Sequence, residues 1–416
     1  MMAGKRVLVV GAGIVGLALA WRLQRLGAEV AIVDPEPPGE GGASFGNAGA
    51  ISASSVVPLA TPGVLKTVPQ MLLDPKAPLH IPAGYWLQAA PWLARFVASA
   101  TPATVARVAK ALDQLLHLAT EQHQALAREV GVPEVLVAKG QLYVYRDEKQ
   151  LAKDTSSWAM RRAAGAEVVR LDRAGIEALE PEIGPAYQLG MFMPDHTHCA
   201  SPFRYAQAVA TAFRDAGGEI RQDRVLALTV SDGRVTGAQG EVMHHRAEEV
   251  VVAAGAWSAR LVAPLGYRIP LETQRGYHVN LFDSGLSLQR PVIPADRKVF
   301  ITPMEGALRV AGTVEFGGLE RAPNEERARL LYGDLTAVFP QARVDGAEGF
   351  WMGHRPCLPD SVPVIGPAER VKGLWFAFGH GHLGLTGSAP TAEMLAPAIM
   401  GRPGNADMGG YAAERF

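Results

Sequence analysis

From Arg6 to Val10 the chain is apolar at nearly every position, the pattern of a short strand buried on both faces of a parallel sheet. From Ile14 to Leu26 apolar residues recur at helical spacing, with Leu17, Ala18, Trp21 and Leu26 placed to pack on that sheet and Gly27 placed to end the helix. Val30 to Val33 is apolar again and closes on Asp34, which predicts a second strand. The breakers Pro35, Pro37, Pro38, Gly39, Gly41 and Gly42 then predict a loop.

Beyond that loop the pattern changes. Val56 to Pro102 alternates Pro-bounded and apolar pieces, and long helices are predicted from Pro102 to Val130. No strand–helix alternation occurs there, which reads as a helical insertion leaving the first domain. Strand-like pieces at Gln141 to Tyr145 and Val168 to Leu171 begin a second sheet, and Phe300 to Pro303 and Leu308 to Ala311 suggest antiparallel strands of the same domain. Pro202 to Ala216 (helix), Glu219 to Val230 (strand), Glu249 to Ala253 (strand) and Gly373 to Met400 (strand, glycine turn, helix) return to the first style. The expected class is α/β with an α+β second domain. A Rossmann-like domain comprises 1–55, 195–265 and 350–416, and a mixed-sheet substrate domain with the helical insertion comprises 56–194 and 266–349.

Composition narrows the function. The 416 residues carry 40 basic and 41 acidic side chains, so no footprint for nucleic acid or an anionic membrane is visible and a small-molecule substrate is expected. Cys199 and Cys357 lie far apart in no metal-ligand spacing, which points to a reducing, cytoplasmic setting and gives no metal site. The apolar N-terminus superficially resembles a signal peptide, but its fixed glycines and lack of a clear cleavage site argue otherwise. No apolar run reaches the roughly 18 to 20 residues needed to span a bilayer.

The glycines carry the first chemistry. Gly11, Gly13 and Gly16 supply a tight turn, room for a pyrophosphate beside the backbone and close helix–strand contact, while the helix start offers free N–H groups to an anion. Asp34, about twenty residues on, is placed to accept hydrogen bonds from a ribose hydroxyl. This constellation announces a dinucleotide without separating FAD from NAD.

Six ordered segments separate them: Ala43 to Gly49, Val250 to Ser258, Gln274 to His278, Arg309 to Glu315, Gly353 to Asp360, and Gly379 to Thr386. With these, the chain resembles the D-amino acid oxidase superfamily of flavoproteins over nearly its whole length, most closely the bacterial D-amino acid dehydrogenase branch. The resemblance implies FAD held by Gly11, Gly13, Ile14, Val15, Gly16, Asp34, Ser44, Asn47, Ala48, Gly49, Val225, Ala254, Gly255 and Trp257, and by the turn of Gly381, His382, Leu383, Gly384, Leu385 and Thr386. Cys357 does not align with the tethering cysteine of related sarcosine oxidases, so the FAD is expected to be non-covalent.

The resemblance also implies the reaction: hydride transfer from Cα of a D-amino acid to flavin N5, giving an imine that hydrolyses to a 2-oxo acid, or a cyclic imino acid. Positioning is the main device, and no acid–base catalyst is assigned. Arg355 matches the carboxylate-binding arginine, against the plainer reading of an ion pair holding the C-terminal return. Tyr277 is a second substrate contact or a pocket wall, and His380 and His382 are left without roles. Asn47 is read as a loop former and Glu315 as a fold-stabilising or surface carboxylate. Pocket loops are expected in Ser52–Pro62 and Tyr85–Phe96, where the lack of an acidic cluster favours a neutral or apolar substrate, with D-proline or 4-hydroxy-D-proline kept open. A quinone or other carrier is the expected electron acceptor. Trp86, Trp92 and Phe96 suit either peripheral membrane contact or the domain core. The competing readings are a glycine- or sarcosine-type oxidase that uses oxygen, and a flavin-binding subunit of a larger complex.

Overall fold

The computed structural model describes residues 4–63, 77, 79–345, 349–403 and 407–416. Part of the Val56–Pro102 stretch, 64–76 with 78, lies outside the described residues.

The first strand, Arg6–Val10, is flanked in parallel by Glu29–Asp34 and Glu249–Val252. Glu219–Gln222 and Leu374–Phe378 extend that sheet in parallel, and Val364–Pro367 closes one edge antiparallel. Helices Ile14–Arg25, Pro202–Asp215 and Ser388–Ile399 cover one face, where Leu17, Val209 and Leu395 are fully buried. Three separate chain segments thus build one layer. The helix forecast to Leu26 ends one residue earlier, with Leu26 as its cap and Gly27 at φ 93°, a conformation glycine adopts without a Cβ clash.

The second domain is a nine-stranded sheet. It runs from Phe350–Cys357 through Glu272–Leu281, Ala307–Phe316, Phe300–Met304 and Val292–Pro294 to Gln141–Tyr145, Leu189–Met193 and Val169–Leu171, with Leu79–His80 pairing beside Ala307–Phe316. Helix Glu325–Val338 packs behind it through Ala328, Leu331 and Leu335.

Two of the expected boundaries move. Helices Pro102–Leu116 and Ala119–Glu129 fall in the stretch assigned to the substrate domain. Their apolar stripe, Val108, Leu112, Leu115 and Leu116, joins instead the core of Leu17 and Leu395, so they are built into the nucleotide domain. Amphipathic spacing says that a face is buried but not which neighbour buries it. Likewise Phe350–Cys357, expected to open the last nucleotide segment, pairs residue for residue with Glu272–Val279 and is an edge strand of the large sheet.

Several histidines are buried. His123 lies between the Tyr205 hydroxyl and the Thr386 carbonyl, His196 among Ser52, Ser54 and Gln141, and His380 against Thr391. Burial holds His123 and His380 near pKa about 4 and His196 near about 3. An unfolded chain takes those protons near pH 6.5, so below that value the unfolded state binds more protons and stability is lost as pH falls. The thermal midpoint should therefore drop between about pH 7 and about pH 5, each histidine contributing up to about 1.4 kcal/mol per pH unit. A midpoint that stays flat across that window would show that these side chains are solvated.

Candidate active site

The first turn is shaped by what cannot fit there. A Cβ on Gly11, at φ 118°, would stand 2.4 Å from the Ala253 carbonyl oxygen, and one on Gly16 would stand 2.0 Å from the Gly11 oxygen. These glycines bring the helix start directly against the strand ends. Ala12 N–H donates to Asp34 Oδ2 at 2.7 Å and Glu36 N–H to Oδ1 at 2.9 Å, which fixes the carboxylate at the end of the second strand. Burial raises the Asp34 pKa, and those two backbone bonds oppose the rise. Ser44 Oγ accepts the Ile14 N–H at 3.0 Å, and the first helical turn holds no acidic side chain to repel an anion.

From this turn a cavity of about 1540 Å³ runs between the two domains. It exceeds the roughly 300 to 1,000 Å³ of ordinary small-ligand pockets, and so has room for an extended dinucleotide with a substrate beside it. Its wall contains Gly11, Gly13, Ile14, Val15, Asp34, Ser44, Asn47, Ala48, Val225, Ala254, Gly255, Trp257 and the run Gly381 to Thr386, as well as Arg355 and Tyr277. Two expected cofactor residues are set back from it. Gly16 serves the helix–strand contact, and Gly49, at φ 80°, lets the chain pass the Cys199 carbonyl, which a Cβ would approach to 2.5 Å.

The two segments expected to flank the flavin are tied together, since Thr386 Oγ1 donates to the Ala50 carbonyl at 3.0 Å. Asn47 shapes its own loop: its Oδ1 accepts the Gly49 N–H at 2.8 Å, and its carbonyl accepts Arg309 Nη1 at 2.7 Å. Arg309 opens one of the six ordered segments, but sequence reading gave it no individual role. Burial lowers its pKa to about 10, which leaves it charged at neutral pH. Among the described residues no cluster of His, Cys, Asp and Glu could hold a metal.

Arg355 stands on the edge strand Phe350–Cys357, paired opposite Gln274. Its guanidinium lies over Gly276, where a Cβ would come within 2.0 Å, and reaches across that strand to the carbonyls of Thr313 (2.8 Å) and Gly312 (3.4 Å). It makes no ion pair among the described residues, which removes the alternative of a salt bridge holding the C-terminal return. That return is held by Arg415 and Asp360 at 2.9 Å. Burial lowers the Arg355 pKa, yet a guanidinium stays charged, so the cavity wall holds a cation whose hydrogen-bond partners among the described residues are carbonyls.

Tyr277 differs. It borders the cavity, but its hydroxyl donates to Glu315 Oε2 at 2.5 Å and accepts the Asn324 N–H at 2.9 Å. Burial and the Glu315 carboxylate push its pKa up to about 12. The hydroxyl is committed to holding Glu315, which also pairs with buried Arg275 at 3.4 Å, rather than to a substrate. Glu315 is thus a fold-stabilising carboxylate.

His380 is turned into the core toward Thr391, while His382 is open to the cavity. Desolvation beside the cavity wall and the nearby charges of Arg355 and Arg161 all lower the His382 pKa, which favours the neutral imidazole. Cys357 is buried near Trp92 and Phe316, and burial pushes its thiol up to about 12. Helix Trp86–Ser99 lines the cavity with Trp92, Leu93 and Phe96, whereas Trp86 and Leu87 are 39% and 91% exposed.

Comparison with known proteins agrees with this geometry. Residues 6–398 match the family described as FAD dependent oxidoreductase. A D-amino-acid oxidase of Bradyrhizobium diazoefficiens is 36% identical over 100% of both chains, and a D-amino acid dehydrogenase of a Methylobacterium species is 34% identical over 95% of this chain and 96% of that one. Among solved structures, glycine oxidase from Geobacillus kaustophilus superposes with a TM-score of 0.76 at 22% identity, covering 99% of each chain. L-proline dehydrogenase from P. horikoshii superposes with a TM-score of 0.77 at 17% identity, covering 100% of this chain and 98% of that one. At those identities the structural likeness establishes the fold. The glycine cradle, the Asp34 carboxylate and the interdomain cavity fit FAD, and the chain belongs to the DAO family of FAD-dependent oxidoreductases.

Proposed function

We propose that this enzyme oxidises a D-amino acid to its imine, which water converts to a 2-oxo acid, and passes the electrons to a quinone or another carrier. The observation that carries the reading is the charged Arg355 fork in the cavity wall with no acidic partner among the described residues. An uncompensated enclosed cation is costly, and a substrate carboxylate accepting both arms offsets that cost. The names of the curated relatives support the D-amino acid. Bound FAD supplies the two-electron acceptor. The protein's part is to orient: Arg355 would fix the carboxylate, Gly276 leaves room for the fork, and the Gly381–Thr386 turn and the Asn47 loop, tied together through Thr386 and Ala50, would hold the flavin.

The FAD is non-covalent in this reading, supported by the buried, protonated Cys357 thiol. Acid precipitation should release all the yellow chromophore into the supernatant; colour retained in the pellet would contradict it.

A cytoplasmic enzyme with peripheral contact at the inner membrane face is the matching location. Exposed Trp86 and Leu87 support the contact, and among the described residues no helix is long and apolar enough to cross a membrane. The oxygen-using alternative has its own support in the Bradyrhizobium relative, which is named an oxidase. Stopped-flow reoxidation separates the two: slow reaction with oxygen and fast reduction of a quinone analogue are expected, and the reverse order would assign an oxidase.

A further inference from the structure

The Arg355 reading leaves a second cation in the same cavity unexplained. Arg161 sits on helix Thr155–Ala163, and Asp154, Ser157 and Arg161 lie along one side of it and line the cavity. Its guanidinium is built into place. Nη1 donates to the Ser54 carbonyl at 3.2 Å, Nη2 to the Tyr143 hydroxyl at 3.4 Å, and the group lies 5.4 Å and 5.5 Å from the ring centres of Tyr143 and Trp158. It makes no ion pair among the described residues. Aromatic faces and a carbonyl orient an arginine and leave its charge without a counter-ion.

Arg161 and Arg355 approach the cavity from different places. Arg355 comes from the edge strand Phe350–Cys357, whereas Tyr143, beneath Arg161, belongs to Gln141–Tyr145, and four strands of the sheet lie between them. Arg161, Arg355 and His382 all line the one cavity. Lys298 adds a third positive charge from the turn after Val292–Pro294, the strand that pairs with Gln141–Tyr145. The carboxylate on this side, Asp154, accepts the Tyr145 hydroxyl at 3.0 Å. The pyrophosphate end of the cavity is served by the Gly11–Gly16 turn, which belongs to the other domain and does not account for these charges.

We infer that Arg161 is a specificity-determining residue that holds a second anionic group of the substrate, so that the preferred substrate is a D-amino acid with an acidic side chain. The inference rests on the proposed D-amino acid oxidation and replaces the neutral or cyclic side chain expected from sequence. That expectation came from the lack of acidic residues in the pocket loops, which argues against a basic substrate and leaves an acidic one open. Arg355 takes the α-carboxylate and Arg161 the side-chain carboxylate, while a neutral His382 adds no competing charge.

The test compares isosteres. The holoenzyme is reduced anaerobically with D-glutamate, D-glutamine, D-aspartate, D-asparagine and D-alanine, and the Arg161→Met and Arg161→Lys variants are treated alike. Methionine keeps the stacking volume over Tyr143 and Trp158 without the charge. The acids should exceed their amides in kcat/KM by about 100-fold, the scale of one charge-assisted pair. Arg161→Met should lose that preference, with kcat/KM falling far more for the acids than for D-alanine and the amides, and Arg161→Lys should restore part of it. Without turnover, glutarate should perturb the flavin spectrum at lower concentration than butyrate in the wild type and not in Arg161→Met. Equal rates for acids and amides in the wild type overturn the inference. So does an Arg161→Met loss that is uniform across all five substrates, which would assign Arg161 to the fold or the flavin. Reduction by D-alanine and D-glutamine but not by D-glutamate sinks this inference alone, whereas no reduction by any of the five sinks the D-amino acid reading with it.

Discussion

Replacing Arg355 with Met should raise the KM for the D-amino acid by about 100- to 10,000-fold while FAD stays bound and its spectrum unchanged. Two hydrogen bonds from a guanidinium to a carboxylate contribute about 1.5 to 3 kcal/mol each, and each 1.4 kcal/mol is tenfold in affinity. Stability should drop only slightly. The variant removes an enclosed cation; of its two carbonyl partners, Gly312 stays paired opposite Tyr277, while Thr313, at φ 57° in the register shift, loses its donor. Arg355→Lys keeps the charge but not the fork across Gly276, so its KM should fall between the two. Steady-state kinetics beside a flavin spectrum read both quantities. An unchanged KM in Arg355→Met would remove the carboxylate assignment.

Substituting Gly11 with Ala should give protein with little bound flavin and a lowered thermal midpoint. Two penalties act together there: φ 118° is a conformation that L side chains avoid, and the new Cβ would lie 2.4 Å from the carbonyl oxygen of Ala253, the residue just past the neighbouring parallel strand. Backbone must move, and it is the backbone that forms the pyrophosphate cradle. Strain of this kind costs about 1 to 3 kcal/mol before any loss of cofactor. Gly42→Ala is the matched control, since Gly42 also lines the cavity but has nothing within 4 Å of an added Cβ. Flavin-to-protein ratio by absorbance, with the melting midpoint, checks the pair. Full flavin occupancy in Gly11→Ala would show that the turn tolerates a side chain.

What could be read ahead of the structure follows locality. The Gly11–Asp34 unit was legible because its strand, turn and helix are specified by neighbouring residues, and the observed strands Arg6–Val10 and Glu29–Asp34 bracket the forecast ones. Arg355 was singled out through its motif, and the structure sets it in the cavity wall. Tyr277, read as a second substrate contact or a pocket wall, borders the cavity, but where its hydroxyl goes could not be read, because face matters more than proximity. Along Glu272–Leu281 successive side chains alternate, Gly276 opens toward the Arg355 fork, and Tyr277 turns to Glu315 and Asn324, where the pairing with Ala307–Phe316 also shifts register. Helices Pro102–Leu116 and Ala119–Glu129 were correctly placed along the chain but assigned to the wrong domain, since an apolar stripe does not name its partner. Arg161 was invisible. It becomes notable when Ser54, Tyr143 and Trp158, distant in sequence, gather around it and no acid does.

The central claim is that a D-amino acid held by Arg355 reduces the bound FAD. Anaerobic addition of D- and L-amino acid pairs to the purified holoenzyme, followed by flavin absorbance, tests it most directly. The expected result is stoichiometric bleaching by D-enantiomers, with a 2-oxo acid recovered and L-enantiomers inert. Flavin that stays oxidised with every D-amino acid, or bleaches equally with both enantiomers, would contradict the account.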